Sequence, residues 1–347
     1  MEKASLFPFV GGMLAAFLLT VLFLRGLIPK LKSLKVGQKI LEIGPRWHKN
    51  KEGTPTMGGI AFIGAILLCA ILLCAALCIA FGTTMLRRLL PMWLILFLAT
   101  ANGLVGLIDD RTKLLKKQNQ GLTAPQKYLL QLCAAGVYLL LMRLFVNPST
   151  DLYIPFFQIE LHLGFFYYVI ALILITGVVN SVNLGDGIDG LASAQSAIIA
   201  AFFALISFSA LPASDALGPA LASGLCIGGV LGFLIYNFYP ARIFMGDTGS
   251  LFLGGFLSGL SFSVGNPLLL LLAAFPFIFE TISVILQTTY FKYTRIRYGQ
   301  GKRIFKMTPI HHHFEKCGWN ERKIVAVFSL ATLIFCAVSY ILEYMIL

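Results

Sequence analysis

Gly106-Leu-Ile-Asp-Asp-Arg-Thr-Lys113 follows an uncharged, largely apolar run, Leu89 to Leu107. An Asp in hydrocarbon costs roughly 2.5–3.5 kcal/mol on insertion scales, so a carboxylate pair leaving such a run marks either a membrane edge or a functional site. The rest of the chain decides between them. Its 347 residues are 58% hydrophobic and only 12% charged, too little charge to cover a soluble surface. Apolar runs of about 20 residues recur, the length that crosses about 30 Å of hydrocarbon. These features define an all-α polytopic membrane protein and exclude a soluble enzyme or a nucleic-acid-binding module.

Hydropathy predicts about ten transmembrane helices, over 7–28, 57–81, 89–108, 127–146, 165–183, 190–211, 218–237, 249–265, 267–290 and 324–346. Only Asn266-Pro267 separates the eighth from the ninth. The polar segments between spans are short, so residues 1–347 are expected to form a single integral membrane domain. The first apolar run is too long for a cleaved signal and lacks a small-residue cleavage site after it. Six of the seven cysteines (Cys69, Cys74, Cys78, Cys133, Cys226 and Cys336) sit in apolar runs, and Cys317 stands alone in a basic loop, which is no disulfide framework.

With odd-numbered spans ending on one side, that side receives every Lys and Arg except Lys3, Arg87, Arg88 and Arg143. The basic side is therefore expected to be cytoplasmic, with both termini outside. Asp109, Asp110, Asp186, Asp189 and Asp247 all fall there, and only Asp151 and Asp215 fall opposite. Three acidic loops within a basic surround predict a cytoplasmic active-site cleft that attracts an anionic substrate and holds a divalent cation.

Each loop has its own chemistry. Asn180-Ser-Val-Asn-Leu-Gly-Asp-Gly-Ile-Asp-Gly190 offers the hard oxygen donors Mg²⁺ prefers, with glycines for close backbone approach. A polar turn between helices is the plainer alternative. Met245-Gly-Asp-Thr-Gly-Ser250 sets Asp247 where a helix begins, as an N-cap or beside a phosphate. In Pro309-Ile-His-His-His-Phe-Glu315 three consecutive imidazoles cannot face one way, so a three-His metal site is excluded; one or two could bond phosphate or transfer a proton. Lys51-Glu-Gly-Thr-Pro-Thr-Met-Gly-Gly59 reads as a turn into the second span. Lys113, Lys116, Lys117 and Lys127 either neutralise phosphates or simply obey the charge rule.

In this order the motifs resemble the phospho-N-acetylmuramoyl-pentapeptide transferase family, among the polyprenyl-phosphate hexose-1-phosphate transferases. The resemblance covers essentially the whole chain and rests on Gly53 to Gly59, Asp109-Asp110, Asn183 to Gly190, Phe244 to Ser250 and Pro309 to Glu315. Gly185 departs from it, standing where the pattern has Thr.

The resemblance implies Mg²⁺-dependent transfer of phospho-MurNAc-pentapeptide from UDP-MurNAc-pentapeptide to undecaprenyl phosphate, giving lipid I and UMP, at a bacterial cytoplasmic membrane. It implies a homodimer. It makes Asp247 the metal ligand, Asp109 the base for the lipid phosphate, and Asp110 a keeper of the metal or phosphate environment. Lys51, Lys113 and Lys127 meet phosphates, and Asn183, Asp186 and Asn237 line the cleft. Asp189, Phe244 and Gln287 take the uridine end, with Phe244 stacking on uracil. His311 and His312 complete the catalytic set around the sugar and phosphate.

Two rivals stand beside this reading. One is a sister transferase using another UDP-sugar. The other is an ion-coupled transporter, which would put acids near span centres, where this chain has only Glu280. Residues 147–164 alternate loosely and suggest a short extracytoplasmic β-hairpin.

Overall fold

The computed structural model describes residues 3–34, 51, 53–116, 121–154, 157 and 159–344. Lys35, Lys39, Arg46, Lys49, Lys117 and Phe156, used in the charge and hairpin arguments, lie outside the described residues.

The long helices are α1 (Lys3–Ser33), α2 (Gly59–Phe81), α3 (Met85–Lys116), α4 (Ala124–Phe145), α5 (Phe165–Gly185), α6 (Leu191–Ser209), α7 (Ala213–Asn237), α8 (Gly246–Ser263), α10 (Phe275–Tyr298) and α12 (Glu321–Tyr344). Two short ones, α9 (Leu268–Ala273) and α11 (Ile310–Lys316), interrupt them. Among the described residues eight helices, α1 to α7 and α12, are long and apolar enough to cross a membrane. Strands β1 (Asp151–Ile154) and β2 (Ile159–His162) pair antiparallel, Asp151 opposite His162, where the sequence suggested a hairpin.

The expected spans need three corrections. The third does not stop before the Asp pair: α3 runs to Lys116, and Asp109 and Lys113 face each other one turn apart. The fifth, expected over 165–183 and so already containing Asn180 and Asn183, runs two residues further, to Gly185. The ninth is broken. Ala274, with φ −93° and ψ 13°, separates α9 from α10, because Pro276 occupies the first turn of α10 and lacks the N–H that a continuous helix would need.

Helix α8 is the hub. Every residue from Thr248 to Phe262 is buried, so its surface is protein on all sides and it needs less apolar character than its lipid-facing neighbours. Its glycines let other backbones approach, as small residues do in membrane bundles. A Cβ on Gly254 would lie 2.5 Å from the Val179 Cα of α5, and one on Gly259 would lie 3.1 Å from the Ile95 Cα of α3. Its most extensive partner is α3. There a Cβ on Gly106 would collide, at 2.1 Å, with the carbonyl oxygen of Asp247.

A smaller apolar cluster stands apart from the main core. Ile188 and Leu191 pack with Ile310 of α11 and with Ile324, Val325 and Phe328 of α12.

Candidate active site

The close crossing of α3 and α8 brings Asp109, Asp110 and Asp247 together. One carboxylate oxygen from each lies within 4.8 Å of the others. Asp109 and Asp110 are buried and Asp247 is partly exposed.

The three carboxylates do different things. Asp110 accepts from the first turn of α8: Oδ1 from the Asp247 N–H at 3.2 Å, Oδ2 from the Thr248 N–H at 2.9 Å and the Thr248 hydroxyl at 2.7 Å. It caps α8 from another helix. Asp247 forms no cap on its own helix. Its Oδ2 instead receives Lys113 Nζ at 2.8 Å and Lys127 Nζ at 2.9 Å, and its Oδ1 the Asn183 amide at 2.8 Å. The N-cap alternative raised for Asp247 thus describes Asp110. Asp109 pairs with Lys113 at 2.6 Å and accepts the Leu122 N–H at 2.7 Å, tying the start of the α4 approach to α3.

Lys113 therefore bridges Asp109 and Asp247, and Lys127 bridges Asp247 and, at 3.3 Å, the Asn183 Oδ1. Asn183 also donates to the Ser250 hydroxyl at 2.8 Å. This joins α3, α4, α5 and α8 in one polar knot at the end of four helices. Hard carboxylate oxygens so spaced fit Mg²⁺, whose ligands are carboxylates completed by waters and phosphates.

Asp186 caps the C-terminus of α5 next to this knot. Its carboxylate has no hydrogen-bonding or ionic partner among the described residues. Burial, then the charges of Asp247, Asp110 and Asp189, push it well above the usual carboxylate range.

A second polar group lies at the base of the α5–α6 turn. Lys51 Nζ is held by Asp189 Oδ1 at 2.7 Å and by Glu321 Oε2 at 2.6 Å. Asp189 Oδ2 accepts the Ala241 N–H at 2.9 Å. Asn237 is buried and bonded within the protein: its oxygen accepts from the Gly190 N–H and the Ser193 hydroxyl, and its amide donates to the Ile243 carbonyl. The Thr-Pro-Thr-Met-Gly-Gly turn is stitched to residues 244–245 through the backbone, Phe244 N–H to Pro55 O at 2.8 Å and Gly58 N–H to Phe244 O at 2.8 Å. That fixes the half-buried Phe244 beside the start of α8.

The three histidines do not all face one way, as their spacing required, though the His311 and His312 rings lie 4.1 Å apart. His311 turns inward to Glu280, His312 contacts Glu315, and His313 Nδ1 accepts the Lys306 N–H. Gln287 spends its side chain on residues 304–305, accepting both N–H groups and donating to the Phe305 carbonyl. Lys51, Gln287 and the histidines are thus outside the Asp109–Asp110–Asp247 knot.

Sequence reasoning missed Glu321 and Thr248 and gave Glu280 no role in the site. Glu280 carried a signal, since it is the only acid well inside a span. Glu321 carried none, because it resembles any acidic residue opening a helix.

A model described as "Glycosyl transferase family 4" matches residues 92–265, which begin in α3 and end after α8. A second, "Phospho-N-acetylmuramoyl-pentapeptide-transferase signature 1", matches residues 51–63. The chain is similar to proteins of the name "Phospho-N-acetylmuramoyl-pentapeptide-transferase" from several bacteria. The one from Staphylococcus carnosus is 42% identical over 326 residues, covering 92% of this chain and 94% of the relative. That from Staphylococcus aureus (strain bovine RF122 / ET3-1) is 43% identical over 92% and 95%. That from Clostridium acetobutylicum is 40% identical over 96% and 98%.

Proposed function

The chain belongs to the phospho-N-acetylmuramoyl-pentapeptide transferase family, and from that premise we propose how its residues carry the reaction. It moves phospho-MurNAc-pentapeptide from UDP-MurNAc-pentapeptide to undecaprenyl phosphate, forming lipid I and UMP in peptidoglycan synthesis. The observation that carries the assignment of residues is the knot of three carboxylates and two lysines at the end of four apolar helices. A lipid phosphate confined to a leaflet surface and a soluble nucleotide sugar meet only at such a rim.

Phosphoryl transfer needs positioning and charge neutralisation more than covalent chemistry. Lys113 and Lys127 take up phosphate charge, and Asn183 holds Asp247 in place for them. Asp109, freed of Lys113 as that lysine turns to phosphate, accepts the proton of the lipid phosphate. Asp247, with Asp110 behind it, would hold Mg²⁺. When bound, the ion supplies positive charge to the pyrophosphate oxygens and the departing UMP. Lys51 also meets phosphate, Asn183, Asp186 and Asn237 line the cleft, Asp189, Phe244 and Gln287 take the uridine end with Phe244 against uracil, and His311 and His312 help shape the sugar and phosphate site. The chain is one integral membrane domain of ten spans, α8 and the broken α9–α10 joining the eight apolar helices. The basic end faces the cytoplasm, both termini lie outside, and the enzyme works as a homodimer.

The test is UMP release by purified protein with undecaprenyl phosphate and either UDP-MurNAc-pentapeptide or UDP-GlcNAc, titrated with Mg²⁺. Turnover with the first sugar only, lost in Asp247→Asn at every Mg²⁺ concentration, is expected. Preference for UDP-GlcNAc would move the chain to the sister activity. Near-normal turnover of Asp247→Asn at low Mg²⁺ would remove Asp247 as the metal ligand.

A further inference from the structure

Glu280 sits in the first half of α10 and is 1% exposed; His311, at the start of α11, is 0% exposed. Glu280 Oε2 accepts the His311 backbone N–H at 3.3 Å and stands 3.1 Å from its ring Nδ1. Glu280 Oε1 and both ring nitrogens of His311 have no hydrogen-bond partner among the described residues, so Oε2 faces Nδ1 as a nearby charge while its hydrogen bond goes to the His311 backbone N–H. Leaving buried polar atoms unpaired is costly, and such a pair persists where a position depends on it.

The far edge of the ring shows which position that is. His311 Nε2 lies where a Cβ on Gly187 would be, 2.2 Å from it, and Cε1 is 2.6 Å from the same point. The ring therefore rests directly on the backbone of the α5–α6 turn, and only a glycine admits it. One residue on, Ile188 packs with Ile310, the neighbour of His311. A polar and an apolar contact thus clamp the same turn to the same end of α11. On either side of the clamp stand Asp186 and Asp189, the latter holding Lys51.

We infer that Glu280 is a positioning residue for the nucleotide site: through His311 and Gly187 it sets the height of the Asp186–Asp189 turn. The inference rests on the assignment of Asp189 to the nucleotide end. Glu280 itself touches no substrate. Its carboxylate fixes the imidazole, and the imidazole fixes the turn. A displacement of the turn moves Asp189 and, with it, Lys51.

Steady-state UMP release is measured with each substrate varied in turn, for Glu280→Gln, Gly187→Ala, Asp189→Asn and the double variant Glu280→Gln/Gly187→Ala, with thermal unfolding alongside. Glu280→Gln keeps an acceptor for the His311 N–H but loses the charge facing Nδ1. It is expected to raise the KM for UDP-MurNAc-pentapeptide at least about tenfold while that for undecaprenyl phosphate stays within about twofold, since sub-ångström misplacement acts on the substrate it positions. Glu280→Asp, which retains the charge, should recover part of the loss. Gly187→Ala leaves Glu280 and His311 intact and should give the same split, and the double variant should be no worse than the stronger single one, because both act on one contact. It also serves if Glu280→Gln unfolds. Equal losses for both substrates, or additive single effects, would overturn the inference. A silent Glu280→Gln beside an Asp189→Asn with raised nucleotide KM would overturn it while leaving the site assignment in place. A silent Asp189→Asn would overturn both.

Discussion

Replacing Asp110 separates holding the fold from holding the ion. Its carboxylate is 6% exposed and accepts three bonds from the first turn of α8, two of them from Thr248, itself 3% exposed. In Asp110→Ala the Thr248 N–H and hydroxyl become buried donors without acceptors. At about 1–3 kcal/mol each, that is a loss of about 2–6 kcal/mol. The third donor, the Asp247 N–H, lies nearer solvent and adds little. In Asp110→Asn the remaining oxygen still serves one or two donors, but the new amide faces another donor, so about half of the loss is expected.

The contrast is Asp247→Asn: its side chain is 19% exposed and its lysine partners 33% and 16%, Asn keeps the shape and Lys113 keeps Asp109 as a partner, so the stability loss is expected to be smaller than for Asp110→Ala, about 1–3 kcal/mol. The assay is thermal unfolding of the protein in lipid nanodiscs with UMP release on the same samples. Asp110→Ala should unfold well below wild type, Asp110→Asn between them, and Asp247→Asn clearly above Asp110→Ala but inactive. An Asp110→Ala protein that unfolds within a degree of wild type would refute the capping role, and a strongly destabilised Asp247→Asn would reverse the assignment.

Phe244→Ala should weaken the UDP-sugar by about 1–3 kcal/mol, the worth of one base stacked on an aromatic ring, and leave the lipid phosphate untouched; calorimetry with each substrate reads the difference. Asp186 has a raised carboxyl, so the folded protein keeps a proton there that the unfolded chain has lost. Stability therefore falls as pH rises from the ordinary carboxylate range through the folded value, and Asp186→Asn should unfold at a higher temperature than wild type above that window but not below it. On the β1–β2 hairpin the His162 ring is held above its ordinary 6.5 by the hydrogen bond and charge of Asp151, 2.7 Å away. An NMR titration of Asp151→Asn should bring it back down; an unchanged midpoint would break the pair. Single cysteines at Gln300 and Ser149 should react oppositely with an impermeant thiol reagent on intact cells, Ser149→Cys labelled and Gln300→Cys shielded, and equal labelling would contradict the orientation.

The apolar runs were legible, because hydrocarbon length acts on local composition, and the acidic motifs that meet as Asp109, Asp110 and Asp247 could be picked out one by one. Helix ends were not. The third span continues past Asp109 because an Asp109–Lys113 pair supports a helix that has already left the lipid, and hydropathy is blind beyond that point. The break at Ala274 hid within residues apolar on both sides, although Pro276 marked it. The distribution of roles was least legible. Asp110 meets Thr248 across 138 positions of sequence and Lys51 meets Glu321 across 270, and no local pattern couples such partners. The motif around Asp247 showed that a helix begins there, not which carboxylate would cap it.

The contact of Gly106 with the Asp247 carbonyl has an evolutionary consequence. Because two of the acids ride on one rigid rod and the third on another, their mutual distance is a property of the bundle and not of any connecting segment. Segments outside the rods can lengthen, shorten or change composition without detuning the chemistry. Changes at the periphery leave the spacing of the acids untouched, whereas the first methyl group at position 106 would meet the Asp247 carbonyl and drive the rods, and with them the three carboxylates, apart.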